Sequence, residues 1–207
     1  NVQKTRYQMG IRLAQEAPAD ADMVIPVPDS GRGAAAGYSH ASGLPYVDGF
    51  VKNSYVGRTF ILPTHSGRTE GIGAKLNPIA HLIEGKRLVV VDDSIVRGNT
   101  TRQIVRSLRN AGAAEVHMRI SSPPIKWPCF YGIDTANRDE LIGAHQSVDE
   151  IRRHIEADSL AYLSEEGMIE ATEVPRSKLC TACFSSHYPI PVPDEVKVTK
   201  NMLEEKI

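Results

Sequence analysis

Apolar residues along the chain follow two rhythms. Residues 23–27 (MVIPV) and 87–93 (RLVVVDD) contain unbroken apolar runs of strand length, the pattern of strands buried on both faces. Elsewhere apolar positions recur three and four apart. Residues 5–16, with Met9, Ile11, Leu13 and Ala14, predict a helix stopped by Pro18. After the 23–27 strand, Pro28-Asp29-Ser30-Gly31 predicts a turn, and the Ala-rich GRGAAAGYSHASG predicts a helix ended by Gly43. From 49 to 78 the periodicity is weak and Gly, Pro, Thr, Arg and Lys are mixed, which predicts a long functional loop. The 87–93 strand leads through SIVRGNT into a helix over 100–111. Ile104, Val105, Leu108 and Ala111 share one side of it, and Arg102, Arg106 and Arg109 the other. Gly112 ends that helix and EVHMRIS (115–121) is the next strand, so the unit is a right-handed βαβ crossover in a parallel sheet. Ser147-x-x-Glu150 is a capping box opening a helix over 148–156. The expected fold is an α/β doubly wound parallel sheet over 1–174. An irregular Cys-containing segment, 175–207, packs on that domain or on a partner.

Composition narrows the class. The chain has 207 residues, 24 Lys+Arg against 25 Asp+Glu, a net charge of −1 and 41% hydrophobic residues. That is not a disordered chain, and it offers no electrostatic case for binding nucleic acid or a membrane surface. No apolar run approaches the ~18–20 residues that cross a bilayer. Three cysteines are too few for a secreted disulfide framework, so a soluble cytoplasmic protein is expected. The chain opens on Asn1 rather than Met, which marks it as a possible fragment.

Candidate chemistry concentrates at 89–101 (VVVDDSIVRGNTT). Asp92 and Asp93 end a central strand, where open α/β sheets bind ligands. Ser94, Gly98, Asn99, Thr100 and Thr101 follow at a helix N-terminus, where hydroxyls, backbone N–H groups and the helix dipole make a phosphate cradle. Acids beside a phosphate repel it unless they bind hydroxyls or hold a divalent cation, and a sugar phosphate meets both conditions. An Asp that merely caps the helix would not need a second acid and a Gly-Asn-Thr-Thr turn. Gly31, Gly33 and Gly37 form a GxGxxxG with the wrong spacing for a dinucleotide fold, and Gly85-Lys86-Arg87 lacks the hydroxyl of a Walker sequence. Cys180-x-x-Cys183 has metal-ligand spacing. With Cys129 and His187 it fits a Cys₃His zinc site, while a redox CxxC is disfavoured because a Pro-rich tail rather than a helix follows.

LVVVDDSIVRGNTTR resembles the ribose-phosphate fingerprint of type I phosphoribosyltransferases, which bind 5-phosphoribosyl 1-diphosphate (PRPP). PVPDSG (26–31), VKNSYVGRTFILPT (51–64), KLNP (75–78) and SSPPIKWPCFYGID (121–134) extend the resemblance to the amidophosphoribosyltransferase branch, and CTACF to its iron–sulfur-containing members. The resemblance implies that Asp92 and Asp93 bind the ribose hydroxyls and Mg²⁺. It puts Ser30 by the diphosphate and metal, with the Asp29, Ser30 and Gly31 backbone on the leaving diphosphate. Ser94, Arg97, Gly98, Asn99, Thr100 and Thr101 would hold the 5-phosphate. Lys52, Tyr55, Arg58 and Lys75 would belong to a catalytic loop closing over PRPP.

It further implies a [4Fe–4S] cluster on Cys129, Cys180 and Cys183, its fourth cysteine upstream of residue 1. An N-terminal glutaminase domain supplying ammonia from glutamine, nucleotide inhibitors and a homo-tetramer are implied as well. The expected reaction forms 5-phosphoribosylamine in purine synthesis. The rival expectation is a regulator of the same fold that binds PRPP or nucleotides without turnover.

Overall fold

The computed structural model describes residues 1–53, 76–133, 135 and 137–192. The helices are α1 (Val2–Glu16), α2 (Arg32–Ser42), α3 (Ala80–Ile83), α4 (Asn99–Asn110), α5 (Ile142–His145), α6 (Val148–Ile155), α7 (Glu165–Thr172) and α8 (Ala182–Ser185). The strands are β1 (Met23–Pro26), β2 (Phe50–Lys52), β3 (Leu76–Pro78), β4 (Arg87–Asp92), β5 (Glu115–Ile120) and β6 (Ser159–Tyr162). A parallel sheet runs in the order β1-β4-β5-β6, with Val24 opposite Val89, Val90 opposite Met118 and Ile120 opposite Tyr162.

The unbroken apolar run of β4 has a direct cause. Leu88 and Val90 face one core with Ile104, Val105 and Leu108 of α4 and Ile151 and Ile155 of α6. Val89 and Val91 face the other with Leu13 of α1 and Ala34 and Tyr38 of α2. Successive side chains alternate, so a strand covered on both faces has no polar position to spare. The doubly wound sheet is therefore as expected.

Punctuation residues fall where the sequence puts them. Gly43 and Gly112 have φ of 74° and 92°, and Ser147 and Glu150 form the reciprocal capping box of α6. Gly33 and Gly37 serve close packing of helices. A Cβ on Gly37 would lie 1.9 Å from the Tyr7 carbonyl oxygen, and one on Gly10 1.9 Å from that of Ala34, so α1 and α2 cross with backbones nearly touching. Arg119, buried on β5, ties the α1–β1 connection to the sheet by donating to the carbonyls of Ala17 and Pro18.

Two expectations change. The ends of the 49–78 stretch are an antiparallel pair, β2 with β3, Phe50 opposite Pro78 and Lys52 opposite Leu76. Three residues are too few for alternation to register as a strand. Cys183 lies inside the one-turn α8, so a short helix does follow the first cysteine of the CxxC. The 175–192 segment lies against 126–131: Lys126 and Trp127 N–H donate to the Cys183 carbonyl at 2.9 and 3.0 Å, and the Tyr188 hydroxyl to that of Pro128 at 2.8 Å.

The topology reverses between β1 and β4. From β1 the chain passes through α2, on one face, to Tyr46, which bridges Val24 on the outer side of β1. From β4 it passes through α4, on the opposite face, to β5 on the other side. Divergence of this kind opens a crevice at the carboxyl ends of the two strands. The turns at 27–31 and 93–98 form its walls.

Candidate functional site

The two turns are joined by backbone. Val27 N–H donates to the Val91 carbonyl at 2.8 Å and Gly31 N–H to that of Val27 at 2.9 Å. A Cβ on Gly31 would stand 2.4 Å from the Val91 oxygen, so the 27–31 turn lies on the end of β4 only because position 31 has no side chain. The Pro28–Asp29 peptide is cis. Asp29 projects from this turn to ion-pair with Lys52 of β2, and Arg32 stands 3.7 Å from it. The Lys52 ammonium and the nearby Arg32 hold the Asp29 carboxyl below its ordinary range. Arg32 bonds mainly to Asp48, at 2.7 Å, and Asp48 also accepts from the Tyr46 hydroxyl at 3.2 Å. Lys52 therefore stands over the 27–31 turn.

At the end of β4 the two acids differ. Asp92 is buried, with 7% of its surface exposed, and Asp93 is half-buried. Burial first, and the Asp93 charge second, push the Asp92 carboxyl up to about 8. Its Oδ1 accepts from Asp93 N–H at 2.8 Å, and Asp93 Oδ1 accepts from the Ser94 hydroxyl at 3.1 Å. Ser121 fixes the strand end by donating its N–H and hydroxyl to the Asp92 carbonyl, at 2.9 and 3.2 Å. A buried carboxylate beside a second one is a costly arrangement that a cation or hydroxyl donors would relieve. Among the described residues no group of three or more His, Cys, Asp or Glu forms a metal cage. The two acids fit Mg²⁺ only as a partial shell, completed by substrate oxygens and water, which is the usual habit of that ion.

Beyond the acids, Ile95 anchors the turn in the core and Gly98, at φ 80°, precedes α4. No side chain caps this helix, so the backbone of 99–101 presents its N–H groups at the positive end of the dipole. Thr101 is buried while Asn99 and Thr100 are exposed. Arg97 ion-pairs with Glu140, and Ile142 N–H donates to the Val96 carbonyl at 2.9 Å.

Thus Asp29, Ser30, Gly31, Asp92, Asp93, Ser94, Arg97, Gly98, Asn99, Thr100 and Thr101 occupy the two facing turns, and Lys52 borders them. Tyr55, Arg58 and Lys75 lie outside the described residues. Sequence reasoning missed Glu140, Asp48 and the Gly98 neighbours Ile142 and His154. They approach from distant parts of the chain, and no local pattern marks them.

Cys129, Cys180 and Cys183 are free thiols in one electrostatic neighbourhood. Burial pushes the Cys183 thiol up, and Cys129, then Cys180, add to the rise. The Tyr188 hydroxyl is raised by burial and by the same three sulfurs. Phe130 and Tyr188 pack as a tilted pair, 54° between planes and 5.3 Å between centroids, and Arg138 lies 4.1 Å above the Trp127 ring.

A parallel sheet with an acid pair and an uncapped helix facing a second turn across a topological switch is the ligand-binding arrangement of open α/β domains. Residues 4–121 match the family of the phosphoribosyl transferase domain, and the chain belongs to that family. Within it, the chain is 59% identical over 199 residues to the amidophosphoribosyltransferase of Synechococcus elongatus, covering 96% of this chain and 40% of that protein. It is 54% identical over 212 residues to that of Mycobacterium tuberculosis, covering 100% of this chain and again 40% of the relative. The glutamine PRPP amidotransferase of Bacillus subtilis, solved in complex with ADP and GMP, superposes with a TM-score of 0.84 at 50% identity. That match covers 94% of this chain and 44% of the other. The chain thus spans about two fifths of the length of the curated relatives it matches.

Proposed function

We propose that this chain is the phosphoribosyl-transferring part of an amidophosphoribosyltransferase. Ammonia derived from glutamine attacks the anomeric carbon of PRPP, a C–N bond forms, the C–O bond to diphosphate breaks, and 5-phosphoribosylamine is the product. The observation that carries this reading is the Asp92–Asp93 pair at the mouth of a crevice whose opposite wall is the 27–31 turn. The acids accept hydrogen bonds from the ribose hydroxyls, and the N–H groups and hydroxyls of 98–101, with Ser94 and Arg97, hold the 5-phosphate. The 29–31 backbone and the Lys52 ammonium face the departing diphosphate, where positive charge and N–H donors count most as negative charge builds. Mg²⁺, held by Asp92, Asp93 and Ser30, supplies further neutralisation when bound. Tyr55, Arg58 and Lys75 are proposed for the same loop on the resemblance alone. No covalent nucleophile is needed, so orientation and exclusion of water supply the rest.

The resemblance further supports Cys129, Cys180 and Cys183, on two touching segments, as three ligands of a [4Fe–4S] cluster whose fourth comes from outside these residues, although among the described residues these thiols do not converge into a group that could hold a metal ion. Iron and acid-labile sulfide in the purified protein test this, and a colourless zinc protein would refute it. A domain boundary at 174/175, a glutaminase domain elsewhere in the protein, nucleotide inhibition, a tetramer and a cytoplasmic location complete the reading. No helix among the described residues is long and apolar enough to cross a membrane.

The function test is diphosphate release from PRPP in the intact protein, with ammonium salts replacing glutamine. Ammonia-dependent release is the expected result. PRPP binding without turnover would favour a regulator of the same fold, although Lys52 and the 27–31 turn, a leaving-group apparatus, would have no task in one.

A further inference from the structure

The phosphate turn is braced from behind by the end of α6. Glu156 closes that helix at φ 63°, the left-handed region where glycine sits freely and a glutamate is strained. Its carboxylate compensates: it accepts from Arg102 Nε and Nη2 at 3.0 and 2.7 Å, and from Arg106 Nε and Nη2 at 2.8 and 2.6 Å. Both arginines belong to α4, and Arg102 N–H donates to the Gly98 carbonyl at 2.9 Å, closing the first turn of that helix. The last turn of α6 and the start of α5 reach the same place. A Cβ on Gly98 would lie 3.2 Å from His154 Cδ2 and 3.0 Å from Ile142 Cδ1.

We infer that Glu156 is a positioning residue for phosphate binding. By gripping Arg102 and Arg106 together it fixes α4 along and about its axis, so that the N–H groups of 99–101 meet the phosphate at one place. Two arginines four residues apart converging on one carboxylate restrain slide and rotation at once, which a single surface ion pair would not. Glu156 touches no ligand itself, since its partners lie on the outer face of α4. A glycine at 156 would relieve the backbone and remove the grip.

This inference rests on reading 98–101 as the phosphate site, and the test separates the two. In the protein as its organism makes it, Mg²⁺–PRPP affinity, KM, kcat and Tm are measured for E156G, E156Q and E156D. Expected are Kd and KM for PRPP about tenfold higher in E156G and E156Q, with kcat nearly unchanged and E156G no less thermostable than E156Q. E156D, which keeps a carboxylate and tolerates the left-handed conformation better, should recover affinity to within about threefold of the parent. Parent-like PRPP affinity in both E156G and E156Q would overturn the inference and leave the site intact. A parent protein that binds no PRPP overturns the site reading and this inference with it.

Discussion

Replacing Asp92 and Asp93 together by Asn lowers Mg²⁺–PRPP affinity by at least about 100-fold, because each carboxylate-assisted hydrogen bond is worth roughly 1.5–3 kcal/mol and two are lost. The same change leaves Tm unchanged or raises it. Burial and the Asp93 charge raise the Asp92 carboxyl to about 8, so near neutral pH folding must add a proton to a group that is ionised in the unfolded chain, a cost that a neutral amide escapes. Opposite signs for binding and stability separate a functional acid pair from a structural one. Calorimetric titration with Mg²⁺–PRPP beside a thermal melt reads both, and near-parental affinity would end the assignment.

Gly31→Ala has the second-largest expected effect. Its methyl would stand 2.4 Å from the Val91 oxygen and 2.8 Å from that of Val27, both backbone atoms that cannot rotate away. The 27–31 turn must then lift off the end of β4, an overpacking cost of about 1–3 kcal/mol, or roughly 2–12 °C in Tm for a domain of this size. Because that turn is proposed to carry the diphosphate contacts, PRPP affinity should fall about tenfold or more even at temperatures where the variant is folded. A stable variant with normal affinity would show that the turn is not part of the site.

The parts of the structure written plainly in the sequence are those whose cause is local. β4 shows as an apolar run because both its faces are covered, and α4 shows by its stripe of Ile104, Val105 and Leu108. Gly43, Gly112 and the Ser147–Glu150 box mark helix ends through backbone conformation and capping. β6, where Ser159 and Ala161 alternate with Leu160 and Tyr162, is too short to announce itself, and α7 after it is an equally short element with no strong apolar stripe. The acid pair and phosphate turn were legible because the motif is contiguous. The contacts that complete the crevice were not: Lys52 to Asp29, Arg97 to Glu140 and His154 beside Gly98 join residues 23 to 56 positions apart, and only the fold brings them together. Glu156 and the arginines it grips stand 54 and 50 positions apart, and no local pattern joins them.

The bridge at Tyr46 also bears on how copies of this protein can associate. Val24 donates its N–H to Pro45 and accepts from Val47, so the outer rim of β1 is already spoken for around that residue. An intruding polypeptide finds no row of unsatisfied amides there to extend. Strand addition directly onto β1 at Val24 is thereby closed off.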